Sequence, residues 1–240
     1  MAPYAYASLG PIAGRVEKAL ADIDGQDVLA RMRRPDHTVW SDDPTEITEP
    51  NRLGWLEVAG DMARETGAMR EFAASVAADG YTTAVLLGMG GSSLAPEVLH
   101  TTFGSAPGRL GLHLLDTTHP DAILGLRDTL DLDKTLFIVA SKSGSTIETM
   151  SQFRYFWGLI PDGAHFIAIT DAGSVLHRLG EEHGFRRVFL NRPDIGGRYS
   201  ALSYFGMVPA ALIGADLDAI LAQAAAMSQA CETPEPAGVL

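Results

Sequence analysis

The feature that most constrains the fold is an alternation of short apolar runs with helical segments that begins after Gly80. Between the runs, apolar side chains recur at the three- and four-residue spacing of an amphipathic helix. Strands that alternate with helices form a parallel sheet covered on both faces, wound by right-handed crossovers. The sequence therefore predicts an α/β fold with a doubly wound, five-stranded parallel sheet. The predicted strands are residues 84–87, 112–115, 136–140, 166–169 and 188–190.

The flanking regions have a different character and predict three parts along the chain. Helical patterns over residues 8–34 and 52–78, separated by a proline-containing loop, predict an N-terminal helical extension over residues 1–79. The α/β domain is expected to span residues 80–232, since helical pattern returns after the fifth strand. Residues 233–240 read as a proline-rich tail, which we expect to be truncated before a second domain.

Composition excludes several classes of protein. The formal net charge is −12, from 18 basic and 30 acidic residues, which disfavours a nucleic-acid partner. A single cysteine, Cys231, excludes an internal disulfide and a zinc–thiolate cluster. The first residues lack a signal-peptide pattern, and no apolar run is long enough to span a membrane. We therefore expect a cytoplasmic protein with no membrane partner.

The turn after the third predicted strand carries four hydroxyls, one glycine and one lysine, in the order Ser-Lys-Ser-Gly-Ser-Thr over residues 141–146. Ligands of open parallel sheets bind beyond the carboxyl ends of the strands. Backbone N–H groups that open a helix have no partner inside it and favour an anion. The sequence predicts a site for a small anion here. The alternative is a cluster of N-cap residues that serves only the helix.

The turn after the first strand, residues 88–93, is rich in glycine and ends in Ser92 and Ser93, which we expect to cap the next helix. Two such turns on neighbouring strands suit one phosphate group held from two sides. A dinucleotide site is the competing interpretation, because Gly88 and Gly90 with Asp116 partly match its fingerprint. Ser93 stands where that fingerprint requires a small, close-packing residue.

Three motifs in this order resemble the phosphoglucose isomerase family: Gly88-x-Gly90-Gly91-Ser92, the turn 141–146 with Glu148 and Thr149, and Gly196-Gly197-Arg198-Tyr199-Ser200. The resemblance runs from roughly residue 36 to residue 230. Residues 51–56 are similar to the isomerase half of bacterial fusions with transaldolase. The resemblance implies a sugar-isomerase (SIS) domain, a three-layer sandwich of the flavodoxin type.

The resemblance also implies roles for single residues. It places the phosphate of glucose 6-phosphate or fructose 6-phosphate on Gly91, Ser92, Ser141, Ser143 and Thr146. It adds Lys142, Gly144, Ser145 and Gly197 to the substrate-binding set. Arg198 is the expected catalytic residue, which stabilises the charge of a cis-enediolate intermediate. An ion pair with an acidic residue, such as Asp194, is the alternative role for Arg198. No cofactor and no metal are expected.

The groups that move protons in this family have no counterpart in the sequence. The family uses a glutamate, a histidine and a lysine beyond the Gly-Gly-Arg motif. In this sequence the only glutamates after Arg198 are Glu232 and Glu235, and no histidine or lysine follows it. Glu148 fits a first-turn helix acid and His119 a helix boundary. We expect the sugar-phosphate-binding domain of a glucose-6-phosphate isomerase, inactive alone and homodimeric when complete. A non-catalytic phosphosugar sensor is the alternative.

Overall fold

The computed structural model describes residues 9–34, 36–47 and 52–231, so the predicted tail, with Glu232 and Glu235, lies outside the described residues. Five parallel strands form one sheet in the order β2-β1-β3-β4-β5. This is the flavodoxin-type order of a doubly wound sheet, so the predicted fold class is confirmed. The strands are β1 Thr83–Gly88, β2 Gly111–Leu115, β3 Thr135–Ala140, β4 Phe166–Asp171 and β5 Arg187–Asn191.

Helices cover both faces of the sheet because successive strand residues point to opposite sides. The helices of this part are α5 Thr66–Ala78, α6 Leu94–Phe103, α7 Pro120–Arg127, α8 Ile147–Leu159, α9 Val175–Glu182, α10 Tyr204–Ile213 and α11 Leu217–Ala230. The strand β3 is Thr135–Ala140, and its Leu136 and Ile138 face a core that also contains residues of α5, α10 and α11, whereas Phe137 and Val139 face α8 and α9.

The N-terminal part is helical, as the sequence predicts. It contains α1 Ala13–Gly25, α2 Val28–Arg33, α3 Pro44–Ile47 and α4 Val58–Ala63. Val58 and Met62 of α4 join the core on the α5 face of the sheet, and α4 packs against α11. The boundary after residue 79 remains a prediction. Within the described ranges, no helix has the length and apolarity to cross a membrane.

Candidate functional site

The strand order reverses between β1 and β3, and the turns that follow these two strands lie side by side. Gly88 at the end of β1 is in register with Ala140 at the end of β3. The β1 turn (residues 88–93) and the β3 turn (residues 141–146) therefore leave the sheet at the same edge. In doubly wound proteins this reversal opens a ligand-binding crevice. The structure thus brings together the two turns that the sequence analysis singles out.

In the β3 turn, the hydroxyl groups bond to one another and to the backbone of the same turn. The Ser141 hydroxyl, in a residue only 2% exposed, accepts a hydrogen bond from the Gly144 N–H at 3.1 Å and lies 3.0 Å from the Thr146 hydroxyl. The Ser143 Oγ accepts from both the N–H and the hydroxyl of Ser145, at 3.2 and 2.9 Å. Ser143 and Ser145 are exposed to solvent. The turn therefore places several hydroxyl groups close together, within reach of one ligand.

Gly144 is required by the shape of this turn. Its φ of +67° lies in the left-handed region, and a Cβ at this position would overlap the backbone N of Leu176 at the start of α9. Any side chain here would push the β3 turn away from α9.

The hydroxyls of the β3 turn do not cap the helix that follows. Thr146 is the N-cap residue of α8, and among the described residues it makes no side-chain capping bond. By contrast, Ser174 and Asp216 cap α9 and α11 with bonds of 3.0 Å to the N–H groups of His177 and Ala219. The interpretation of the β3 turn as a set of helix caps is therefore wrong. The first N–H groups of α8 remain available to an anion.

The β1 turn contacts the Gly-Gly-Arg motif directly. A Cβ on Gly91 would overlap the carbonyl group of Gly197. The Ser200 hydroxyl lies 3.1 Å from the Gly91 oxygen and 2.7 Å from the Gly197 oxygen, to which it donates. Glycine at position 91 is thus a packing requirement. The role of Ser200 was missed by sequence reasoning, although the motif contains it.

Ser93 does not cap α6, contrary to the expectation from the sequence. Its hydroxyl donates to the Gly90 oxygen at 3.1 Å, and residues 90–92 form a 3-10 turn before the helix begins. The Ser93 hydroxyl therefore bonds within this turn and does not bond to the helix. Ser92 is partly exposed within the turn, beside Gly91.

Residues 192–198, here called the crossing segment, run from the end of β5 back across the carboxyl edge of the sheet to the β1 turn. On one side, Pro193 accepts a hydrogen bond from Lys142 of the β3 turn. On the other side, Leu53 forms a β-bridge with Ile195, and the Gly54 N–H donates to the backbone carbonyl oxygen of Asp194 at 3.0 Å. The crossing segment therefore forms one wall of the site, and Arg198 at its end lies beside the site.

Arg198 is exposed, and its guanidinium has no hydrogen bond or ion pair with any described residue. The alternative of an Arg198–Asp194 pair is wrong, because Asp194 pairs with Arg192, whose Nε lies 2.9 Å from Oδ1. The hydrogen bond from Arg192 lowers the pKa of the Asp194 carboxyl. Arg198 keeps its five donors for a ligand.

Arg198 borders an apolar cleft between α6 and the residues that follow the crossing segment. Besides Gly91 and Gly197, the cleft is lined by Leu94, Val98, Leu99, Leu202 and Met207. Leu94 and Val98 are exposed. No group of acidic, histidine or cysteine side chains within the described ranges is arranged to hold a metal ion.

Lys142 lies in the β3 turn, as the sequence predicts, but its ammonium group bonds to protein atoms. Nζ is 2.6 Å from Asp171 Oδ2 and 2.8 Å from the Pro193 oxygen. Burial raises the pKa of the Asp171 carboxyl, and the neighbouring ammonium opposes that rise. Asp171 was missed as a site residue. The only signal in the sequence is its position at the end of a strand.

The dinucleotide interpretation loses support from this geometry. The classic dinucleotide fold has the strand order 3-2-1-4-5-6, and its pyrophosphate approaches the glycines of the first turn. Here the order is different, and the crossing segment already packs on Gly91. The fold and site define a doubly wound α/β protein whose glycine-rich β1 turn and hydroxyl-rich β3 turn meet at its switch point.

Comparisons with known proteins agree with this class. The phosphoglucose isomerase family model matches residues 56–236. A glucose-6-phosphate isomerase of Thermus thermophilus is 38% identical over 176 residues, which are 70% of this chain and 41% of that protein. One of Rubrobacter xylanophilus is 32% identical over 229 residues, which are 88% of this chain and 50% of that protein.

A solved glucose-6-phosphate isomerase of Chlamydia trachomatis has the same fold. It superposes with a TM-score of 0.74 at 24% identity, over 91% of this chain and 46% of that one. The chain spans half or less of the length of these relatives. This chain belongs to the phosphoglucose isomerase family.

Proposed function

We propose that this chain is the sugar-phosphate-binding part of a glucose-6-phosphate isomerase, which interconverts glucose 6-phosphate and fructose 6-phosphate through a cis-enediolate. The observation that carries the proposal is the β3 turn, whose exposed hydroxyls stand before an uncapped helix N-terminus. The family membership supports the same conclusion. A hexose 6-phosphate is the proposed ligand, and a homodimer in the cytoplasm is the proposed state of the complete protein.

The phosphate binds, in this proposal, where the β1 and β3 turns meet. A phosphate monoester carries a charge of about −1.5 to −2 at pH 7. The hydroxyls of Ser92, Ser141, Ser143 and Thr146 and the first N–H groups of α8 donate to its oxygens. Each hydrogen bond to a charged group contributes about 1.5–3 kcal/mol, so a few of them hold a sugar phosphate at micromolar strength.

Arg198 supplies the electrostatic part of the chemistry. Isomerisation moves a proton between C1 and C2, and negative charge develops on the oxygens of the enediolate. A guanidinium stays protonated at any working pH and stabilises that charge with fixed donors. Among the described residues that line the cleft, Arg198 is the one that carries charge. We therefore assign no proton-transfer group to this part of the protein and expect binding without turnover.

The test is calorimetric titration of the purified chain with glucose 6-phosphate, fructose 6-phosphate and 6-phosphogluconate. All three should bind. Ser143→Ala combined with Thr146→Ala removes two donors to the phosphate and should raise Kd about a hundredfold or more.

The matched control is Ser151→Ala, which removes an exposed hydroxyl one turn further along α8. Within the described ranges that hydroxyl bonds only to the Ile147 oxygen, so the affinity should not change. Absence of binding by all three ligands would contradict the proposed function. An equal loss of affinity in the control would contradict the location of the site.

A further inference from the structure

The Lys142 side chain joins three separate parts of the site edge. It starts in the β3 turn, bonds to the carboxylate of Asp171 at the end of β4 and donates to Pro193 of the crossing segment. The backbone repeats the first link, since the Asp171 N–H donates to the Lys142 oxygen at 3.2 Å. The Lys142 and Asp171 side chains are 21% and 19% exposed. The ammonium group is therefore held between two acceptors in a partly buried setting.

The carboxylate of Asp171 stabilises the ammonium group of Lys142 in this position. Asp171 Oδ1 is buried and has no hydrogen-bond partner among the described residues, so Lys142 at Oδ2 is the main compensation for the carboxylate charge, and Arg52 acts on it without a hydrogen bond. In a partly buried pair, removing one member leaves a poorly compensated charge and costs more than removing both. An ammonium that moved to a bound phosphate would leave this carboxylate in that state.

We infer that Lys142 is a positioning residue that holds the crossing segment, and that its ammonium is not a phosphate ligand. Pro193 begins the segment that ends in Gly197 and Arg198, and Gly197 packs on Gly91 of the β1 turn. Lys142 thus links the phosphate-binding turn to the turn that carries the catalytic arginine. The role in ligand binding rests on the proposed function, whereas the role in holding the segment does not.

Asp171→Ala distinguishes the two roles by the sign of its effect. If Lys142 were a phosphate ligand, loss of Asp171 would free the ammonium, and the affinity for glucose 6-phosphate would stay the same or rise. If Lys142 holds the crossing segment, loss of Asp171 loosens that hold and the affinity falls. We expect a fall of about threefold to tenfold in Asp171→Ala and in Lys142→Met alike.

The double variant, Lys142→Met with Asp171→Ala, completes the cycle. Two residues that act as one link are non-additive, so the double variant should bind no more weakly than either single variant. Lys142→Arg should restore near-normal binding, because a guanidinium also reaches an acid and a carbonyl oxygen. The control is Lys134→Met, which breaks an exposed pair with Asp131 just before the amino end of β3, at the edge of the sheet opposite to the site, and should leave binding unchanged.

A second readout reports on the crossing segment without any ligand. Trp55 stacks on Tyr199, which follows Arg198, with ring centroids 5.1 Å apart. In protein labelled with fluorotryptophan, the fluorine signal of Trp55 should shift in Lys142→Met and in Asp171→Ala and return in Lys142→Arg. The signals of the other two tryptophans, Trp40 and Trp157, serve as internal references.

The outcomes separate this inference from the proposed function. Tighter or unchanged binding in Asp171→Ala, or additive losses in the double variant, would overturn the positioning role. An unshifted Trp55 signal in both single variants would overturn it as well, even if no hexose phosphate binds. If Lys142→Met fails to fold, the two single variants Asp171→Ala and Lys142→Arg still show whether the affinity falls when the link is broken and is kept when the link is preserved. If the unmodified chain binds no hexose phosphate, the proposed function fails, and the fluorine signal alone decides the inference.

Discussion

Two arginines of the crossing segment show how the same residue type takes opposite roles. Arg192 pairs with both Asp61 and Asp194, which raises the pKa of its guanidinium further. Arg198 has no such partner in the described part of the chain and is exposed to solvent beside the cleft. Sequence reasoning left both roles open for Arg198, because spacing along the chain does not tell which arginine reaches Asp194.

Arg198→Ala should leave the stability of the fold within about 0.5 kcal/mol, since an exposed side chain without partners is removed. The affinity for glucose 6-phosphate should fall less than in the Ser143/Thr146 double variant, because the main partner of Arg198 is a charge that develops in the transition state. Urea unfolding and calorimetry measure the two effects, with Arg198→Lys as the charge-keeping control. Loss of all ground-state binding in Arg198→Ala would show that the arginine is a substrate anchor instead.

At the scale of elements, the strands were predictable and the contacts between their turns were not. Each predicted strand lies inside the observed one. The central strands β1, β3 and β4 are buried on both faces and leave continuous apolar runs in the sequence, whereas the edge strands β2 and β5 are partly exposed and leave shorter or interrupted ones. The β3 turn was predictable because its hydroxyls directly follow such a run. The Lys142–Asp171 pair and the contact of Gly91 with Gly197 join residues far apart in sequence, so no local pattern indicates them.

Gly91→Ala tests the contact between the β1 turn and the crossing segment. The added Cβ would overlap the Gly197 carbonyl group, which is backbone and cannot rotate away, so the two turns must separate. We expect the affinity for hexose phosphates to fall about tenfold or more, since each hydrogen bond to the phosphate that is lost when the turns separate costs about 1.5–3 kcal/mol. Gly125→Ala in α7 is the control, because its Cβ would meet nothing within 4 Å. Unchanged binding in Gly91→Ala would contradict the close approach.

At the scale of the whole molecule, the N-terminal part and the α/β domain meet at the site wall. Leu53 and Gly54 bond to the crossing segment, and Asp61 of α4 pairs with Arg192. A Cβ on Gly54 would overlap the Asp194 carboxylate, so the two segments of the chain touch without space between them. The helical pattern of residues 52–78 predicted helices but not this contact. The N-terminal part thus fixes one side of the wall that carries Arg198.

Asp194→Asn tests this connection through its pH dependence, because asparagine keeps the shape and removes the charge. The Arg192 hydrogen bond lowers the folded-state pKa of Asp194, so ionisation of this carboxyl stabilises the folded state. That contribution is present above the unfolded pKa of about 3.9 and is lost as the pH falls through the lower folded-state value. At pH 7 the variant should lose about 1–3 kcal/mol of unfolding free energy. Urea unfolding at a series of pH values should show the difference from the unmodified chain shrinking below about pH 4. A difference that stays constant over that range would show that Asp194 acts through its shape, and that its charge does not hold the N-terminal part against the site.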